Sequence, residues 1–264
     1  RDLDHTGKFV YERDGVLVPE FSSDISLKRT IHSGYAQITG ATSKWDYNAG
    51  MRLESMDREY TETLRTDNVE NVLLFDFVKL FPSASLQYKL NDKTNLKTAY
   101  SKRVERTTTF KMNSFAEREH SEVFEQGDNR LLPEFIDLVE LGINKKMKKG
   151  NSVYATAYYR HVDNVINRVN TLAYEASGAV IDSVLNRVYS NVGKSNSVGL
   201  ELGATIKASK NWTNIIGFNF YNYDVNGVLN FRHRDGIARS YDINTNANVY
   251  SFNLNSTYKF WENA

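Results

Sequence analysis

The chain has no cysteine among its 264 residues. A disulfide scaffold, a thiolate metal site and a cysteine nucleophile are therefore excluded. An excess of one charge is also missing: 33 basic residues stand against 32 acidic ones, a net charge of +1. A nucleic-acid binder normally shows a basic surplus, so nucleic acid is not an expected partner. No run approaches the roughly 18 apolar residues that a helical membrane span requires. Only three prolines occur. Helical periodicity is scarce, and neither G-x-S-x-G nor H-E-x-x-H is present, so no enzyme activity is expected. The five histidines are scattered without ligand spacing, and neither a metal nor another cofactor is expected. The "GKS" at Gly193–Ser195 lacks the earlier glycine of a phosphate loop, since Val188 stands there. The chain opens "RDLDHTGKFV", without an initiator Met or signal peptide, and ends "LNSTYKFWENA" just past a strand-like segment. These ends read as those of a piece of a larger protein.

What is abundant is alternation. Tyr47, Ala49, Met51 and Leu53 oppose Asp46, Asn48, Gly50, Arg52 and Glu54. Leu86, Tyr88 and Leu90 oppose Gln87 and Lys89, and Val139, Leu141 and Ile143 oppose Glu140, Gly142 and Asn144. Val198, Leu200 and Leu202 oppose Gly199, Glu201 and Gly203. Period two means strands with one apolar and one polar face. Four connections are short: "TGATSK", "LNDKTN", "KMKKGN" and "KASKNW". They alternate with long polar stretches near 60–75, 105–133, 166–187 and 224–240, which read as loops. An antiparallel meander with all long loops at one end gives this order.

The polar faces carry charges too often to lie in a dry core, because an unpaired buried charge costs several kcal/mol. The apolar faces need a second sheet or lipid to cover them. The strands look roughly 12–18 residues long, against a common length of about 5–6 in globular proteins and about 9–11 to cross hydrocarbon. Trp45, Tyr47, Trp212, Tyr258, Phe260 and Trp261 sit near strand ends, as an interfacial girdle would. Lipid leaves no backbone group unpaired, so such a sheet closes. The expected fold is all-β: a transmembrane antiparallel meander β-barrel, with about nine strands visible of a larger one. A soluble antiparallel sandwich is the alternative that alternation alone leaves open.

"GDNRLLPEFIDLVELGIN" resembles the G-N-P-x-L-x-P-E…E-x-G signature of TonB-dependent outer-membrane receptors, through Gly127, Asn129, Leu132, Pro133, Glu134, Glu140 and Gly142. Arg130 stands where that family often has proline. "NVGKSNSVGLEL" looks like its N-x-G…G-x-E-L strand. "YNAGMRLE" and "LFPSASLQYKLNDKTNLKTAYSKRVERTT" are similar to strands of the Bacteroidetes outer-membrane β-barrel branch. The resemblance spans most of Ser26 to Lys259. It implies location in the bacterial outer membrane, in contact with its lipid, as part of a 22-stranded barrel. All of 1–264 would belong to one barrel domain, with the plug domain and the other strands outside this chain. It also implies TonB-powered import of a small-molecule or oligomeric nutrient: an iron chelate, a glycan, a peptide or a vitamin. A surface lipoprotein lid is a further candidate partner. The alternative is a non-transporting barrel that serves assembly or adhesion through long loops.

Ligand-contact candidates are the arginines and aromatics of the long stretches. Arg can fork onto carboxylates or phosphates, and Phe can stack on rings. They are Arg103, Arg106, Phe110, Phe115, Arg118, His120 and Phe124 in the first, and Phe231, Arg232 and Arg234 in the last. Glu54, Glu140 and Glu201 are expected on the inner wall, facing a plug or inward cations, with the glycines beside the last two giving close approach.

Overall fold

A computed structural model describes residues 2–10, 12–19, 22–64, 69–114, 117–120, 123–177, 180–232 and 238–260. The first strands are β1 (Asp2–Phe9), the small pair β2 (Glu12–Arg13) and β3 (Val16–Leu17), β4 (Ser23–Ala41), β5 (Trp45–Leu64), β6 (Glu70–Asn91) and β7 (Thr94–Glu105). A single helical turn, α1 (Thr109–Met112), and two short strands, β8 (Glu117–His120) and β9 (Val123–Gln126), follow. Then come β10 (Glu134–Lys146), β11 (Ser152–Asp163), β12 (Ile166–Ser177), β13 (Val180–Asn191), β14 (Lys194–Lys207), β15 (Trp212–Arg232) and β16 (Ala238–Tyr258).

Ten strands form one antiparallel sheet in the order β1-β4-β5-β6-β7-β10-β11-β14-β15-β16. The sequence showed about nine. The additional one is β1, whose polar Asp2–Phe9 segment carries no clear alternation and lies before the region of resemblance. The four short connections are tight turns as expected, all at one end of the sheet. In the third, Lys149 and Gly150 take left-handed conformations at φ 61° and 75°.

Register explains why the sheet needs lipid. Tyr47, Leu86, Thr98, Leu141, Ala157, Leu200, Phe220 and Tyr250 are successive cross-strand partners, a row across eight strands on one face. The row below it runs Ile143, Ala155, Leu202, Phe218, Phe252. Leu141, Leu200, Phe220, Tyr250 and Phe252 are all exposed. An apolar belt of this breadth is covered by a hydrocarbon phase, not water. Two rows above, the same face turns polar through Lys102, Asp137, His161, Asn196, Asp224 and Asn246. At the short-turn rim the indole of Trp45 packs on Tyr88 with centroids 4.5 Å apart, and Trp212 donates from Nε1 to Ser256 at 2.8 Å. Aromatic rings with one wet edge suit that interface.

Two expectations are corrected. The stretches 60–75, 166–187 and 224–240 are not loops where they are described; in 60–75, β5 runs on to Leu64 and β6 starts at Glu70. The stretch 166–187 forms the hairpin β12–β13, and 224–240 carries β15 and β16 past the belt to Arg232 and from Ala238. Outside lipid a strand needs no apolar face, so polar sequence did not exclude extended pairing. The inner-face glycines that flank Glu201 are also not open to an approaching backbone, while Gly142 beside Glu140 borders a groove. A Cβ at Gly199 would overlap the Tyr158 ring, and one at Gly203 the Tyr154 ring. The rings lie over their cross-strand glycines and fill that space themselves.

Phe135 shares the phase of lipid-facing Val139 and Leu141 yet is buried. Pairing of β6 with β7 ends at Ser83–Ser101. Above that point the Phe135 ring packs on Phe77, Phe81 and Met56 of the inner face.

Candidate functional site

The even-numbered residues of β5 continue one face from Asp46 through Arg52, Glu54, Met56, Arg58, Tyr60 and Glu62. From Glu54 upward all five are buried. They are covered by the described parts of segment 106–133, a strap that joins β7 to β10. Met112 and Leu131 of the strap join Ile25, Leu27 and Tyr60 in one apolar cluster. Full burial of each such side chain contributes about 1.5–3 kcal/mol. The strap closes on itself. Gly127 donates to the Asn113 carbonyl at 2.6 Å and Asp128 to the Lys111 carbonyl at 3.1 Å. A Cβ at Gly127 would overlap both of those carbonyl oxygens, so the crossing needs glycine.

Polar groups fasten the strap to the wall. Arg58 Nη1 donates to the Leu131 carbonyl at 2.7 Å and to Thr107 Oγ1 at 3.3 Å, and Arg29 Nη1 to the Thr107 carbonyl at 3.2 Å. Arg106 donates to Glu54, whose other oxygen lies 3.4 Å from Arg52. Ser114 donates to Glu62, and Asn129 donates to it at 3.0 Å. These groups lie above the apolar belt, at or beyond the level where β5 turns Asp57 and Glu59 outward. Burial, with some repulsion from Arg29, lowers the Arg58 pKa to about 10, so it stays charged at neutral pH. Burial raises the Glu62 carboxyl above its ordinary range, and the Ser114 and Asn129 hydrogen bonds only partly oppose this.

The two sequence motifs meet. Asn191 Oδ1 accepts from the Leu132 amide at 2.8 Å, while its Nδ2 donates to the Leu132 carbonyl at 3.1 Å and the Asn164 carbonyl at 2.7 Å. Asn164 Nδ2 donates to the Pro133 carbonyl at 3.2 Å, and the Ile166 amide donates to Glu134 at 2.7 Å. The strap's return point is thus bound to the root of the β12–β13 hairpin. Asn164 at φ 59° and Gly193 at φ 114° turn the hairpin off the wall there. Val165 and Val192 at its root pack with Val162, Val225 and Leu229. Farther out, β9 pairs in parallel with β13, so strap and hairpin share a second sheet, β12-β13-β9-β8.

Of the ligand-contact candidates, Arg103 is exposed with no partner among the described residues, and Arg106 is committed to Glu54. Phe110 is half exposed, its ring 5.9 Å from Tyr189 and edge-on. Phe124 is buried, so its ring serves packing rather than ligand stacking. Arg118 and His120 fall on β8, and Phe231 and Arg232 end β15, but their side chains lie outside what is described. Phe115 and Arg234 lie outside the described residues altogether. Glu201 accepts from the Tyr154 hydroxyl at 2.6 Å. Glu140 borders an inner groove with Lys97, Asn144 and Thr156. Sequence reasoning missed Arg58, Glu62, Lys79 and Asn191. The β5 phase, carried eight residues beyond Glu54, would have found the first two.

The outer membrane protein beta-barrel family matches residues 2–264 of this chain. No curated protein matches the chain. Among solved structures, the ferric yersiniabactin uptake receptor FyuA of Yersinia pestis is similar at a TM-score of 0.57 and 14% identity, over 97% of this chain and 42% of that one. The alcaligin outer membrane receptor FauA of Bordetella pertussis gives 0.53 and 15%, over 99% and 43%. The Serratia marcescens hemophore receptor HasR, solved with its hemophore HasA and heme, gives 0.53 and 14%, over 99% and 54%. At such identities the likeness is one of fold, and the chain spans about half the length of these proteins.

Proposed function

Since the chain belongs to the outer membrane protein beta-barrel family and its strands therefore cross the bacterial outer membrane, we propose that it is wall from a receptor that imports a nutrient. In this reading 1–264 is part of one barrel domain. A plug outside this chain fills the barrel, and TonB supplies the energy. The chain performs no catalysis; it binds and admits. The observation that carries this is the strap. The described part of 106–133 folds onto the polar face of the wall and buries Met112 and Leu131 against Ile25, Leu27 and Tyr60. An adhesion or assembly barrel that works through displayed loops has no use for a long connection folded against its inner wall. Fold likeness to uptake receptors points the same way.

The test is genetic. The full-length gene is deleted and the strain is grown in competition on limiting iron chelates, glycans, peptides and vitamins. A defect on at least one nutrient, reproduced when TonB is inactivated, is the expected result. No defect on any of them, or a defect indifferent to TonB, overturns the reading.

A further inference from the structure

The inner wall beneath the strap carries positive charge that its own carboxylates do not neutralise. Glu54 is 1% exposed and serves both Arg106 and Arg52. Its direct partner across the β5–β6 pair is a third cation, Lys79. Lys79 Nζ lies 3.5 Å from the centroid of the Phe135 ring and has no carboxylate partner among the described residues. The Arg52 guanidinium stands 4.9 Å over Phe81. Phe81 and Phe135 are stacked on each other, so one aromatic pair supports both cations. Arg103 of β7 is exposed and is paired in register with Ile136, one residue along β10 from Phe135. Deeper in, Arg106 Nε is buried without an acceptor.

A ring face attracts a cation but leaves its N–H groups unused. A buried guanidinium N–H without an acceptor carries its desolvation cost uncompensated. One carboxylate against three adjacent cations therefore leaves an electrostatic deficit that an anion would fill. The acidic neighbours do not remove it. Glu134 takes the Ile166 amide, and Glu105, two residues along β7 from Arg103, forms no ion pair with it or with Lys79 among the described residues.

Resting on the import reading, we infer that this wall is the anion-recognition site of the receptor, and that its nutrient carries carboxylate or phosphate groups. Lys79 and Arg103 make the contacts, and Arg52 presents a guanidinium edge beside them. Glu54 is a positioning residue that holds Arg52 and Arg106 in place. The site faces inward, away from the lipid belt, so its ligand arrives from solution.

The experiment uses the full-length protein in detergent, with citrate and inorganic phosphate as probes and sucrose as the uncharged comparison, read by calorimetry. Citrate is expected to bind, more weakly as salt rises. The Lys79→Gln/Arg103→Gln pair, which removes no ion pair of the fold, is expected to weaken it at least about tenfold, the scale of charge-assisted hydrogen bonds. Lys207→Gln, at the short-turn rim, is expected to leave it unchanged. If neither citrate nor phosphate binds, or if the double variant binds as tightly as the parent, the inference is overturned. The growth competition separates the two readings: citrate binding lost in the double variant, without any TonB-dependent defect in the deletion strain, refutes import while leaving the anion site standing.

Discussion

Replacing Asn191 by leucine removes the amide that joins the strap to the hairpin root while keeping nearly the same volume. Three hydrogen bonds disappear, to the Leu132 amide, the Leu132 carbonyl and the Asn164 carbonyl. At about 1 kcal/mol net for each, the loss is about 3 kcal/mol, within a span of about 2–4. It falls on the strap rather than on the barrel, because the ladder Asp163–Lys194 and its neighbours are untouched. Since about 1.4 kcal/mol is a factor of ten, the open population of the strap rises about a hundredfold. Trypsin reads this directly at Lys111 and Arg130, whose cleavage follows the open population when reclosing is fast. The full-length variant is expected to be nicked between residues 106 and 131 about a hundred times faster than the parent. Its heat-modifiable migration on gels, the mark of an intact barrel, is expected to stay the same. An acceleration below about threefold with the barrel intact would refute the claim that Asn191 holds the strap.

Glu62 gives a prediction in pH. Its folded pKa is raised by burial, so the protonated form suits the closed strap. That contribution is fully present below the ordinary glutamate value and is lost as pH rises through the raised folded value. Proteolysis of the strap should therefore quicken across that window in the parent and lose this dependence in Glu62→Gln; an unchanged pH profile in the variant counts against it. Leu141→Arg, in the middle of the apolar row, should cost about 2–4 kcal/mol of barrel stability in urea titrations in vesicles, while Asn144→Arg on the inner face should cost far less. Equal costs would mean that the two faces have been exchanged. Gly203→Val should destabilise by about 1–3 kcal/mol, because its side chain must displace the Tyr154 ring, and Tyr154→Ala should recover part of that loss. Simple additivity of the two substitutions would argue against the packing described.

The wall was legible because lipid imposes a strict rule: every second residue of a crossing strand is apolar. Tyr47 to Leu53 and Val198 to Ile206 obey it, and the four tight turns punctuate it. Beyond the belt the rule lapses. Ile166 to Ser177 and Asp224 to Asn230 pair as strands while reading as polar loop. The partnership of Glu54 with Arg106 was not legible either, although both residues were singled out. They are 52 positions apart, and only the inward fold of the strap brings them together. Lys79 had no visible role, because its setting is made by Phe135, which comes from a strand that does not pair with β6.

The left-handed joint at Asn164 and Gly193 has a consequence for how such a barrel can vary. Across the joint the Val165 amide donates to the Gly193 carbonyl and the Val192 amide to the Val165 carbonyl, and the wall resumes at Asp163–Lys194 in unbroken register. The β12–β13 hairpin behaves as a cassette on a fixed socket. Its length and sequence can change in symmetric steps without shifting one residue of the lipid belt. A socket of this kind lets the projecting arm be exchanged while the membrane-crossing wall below it is inherited whole.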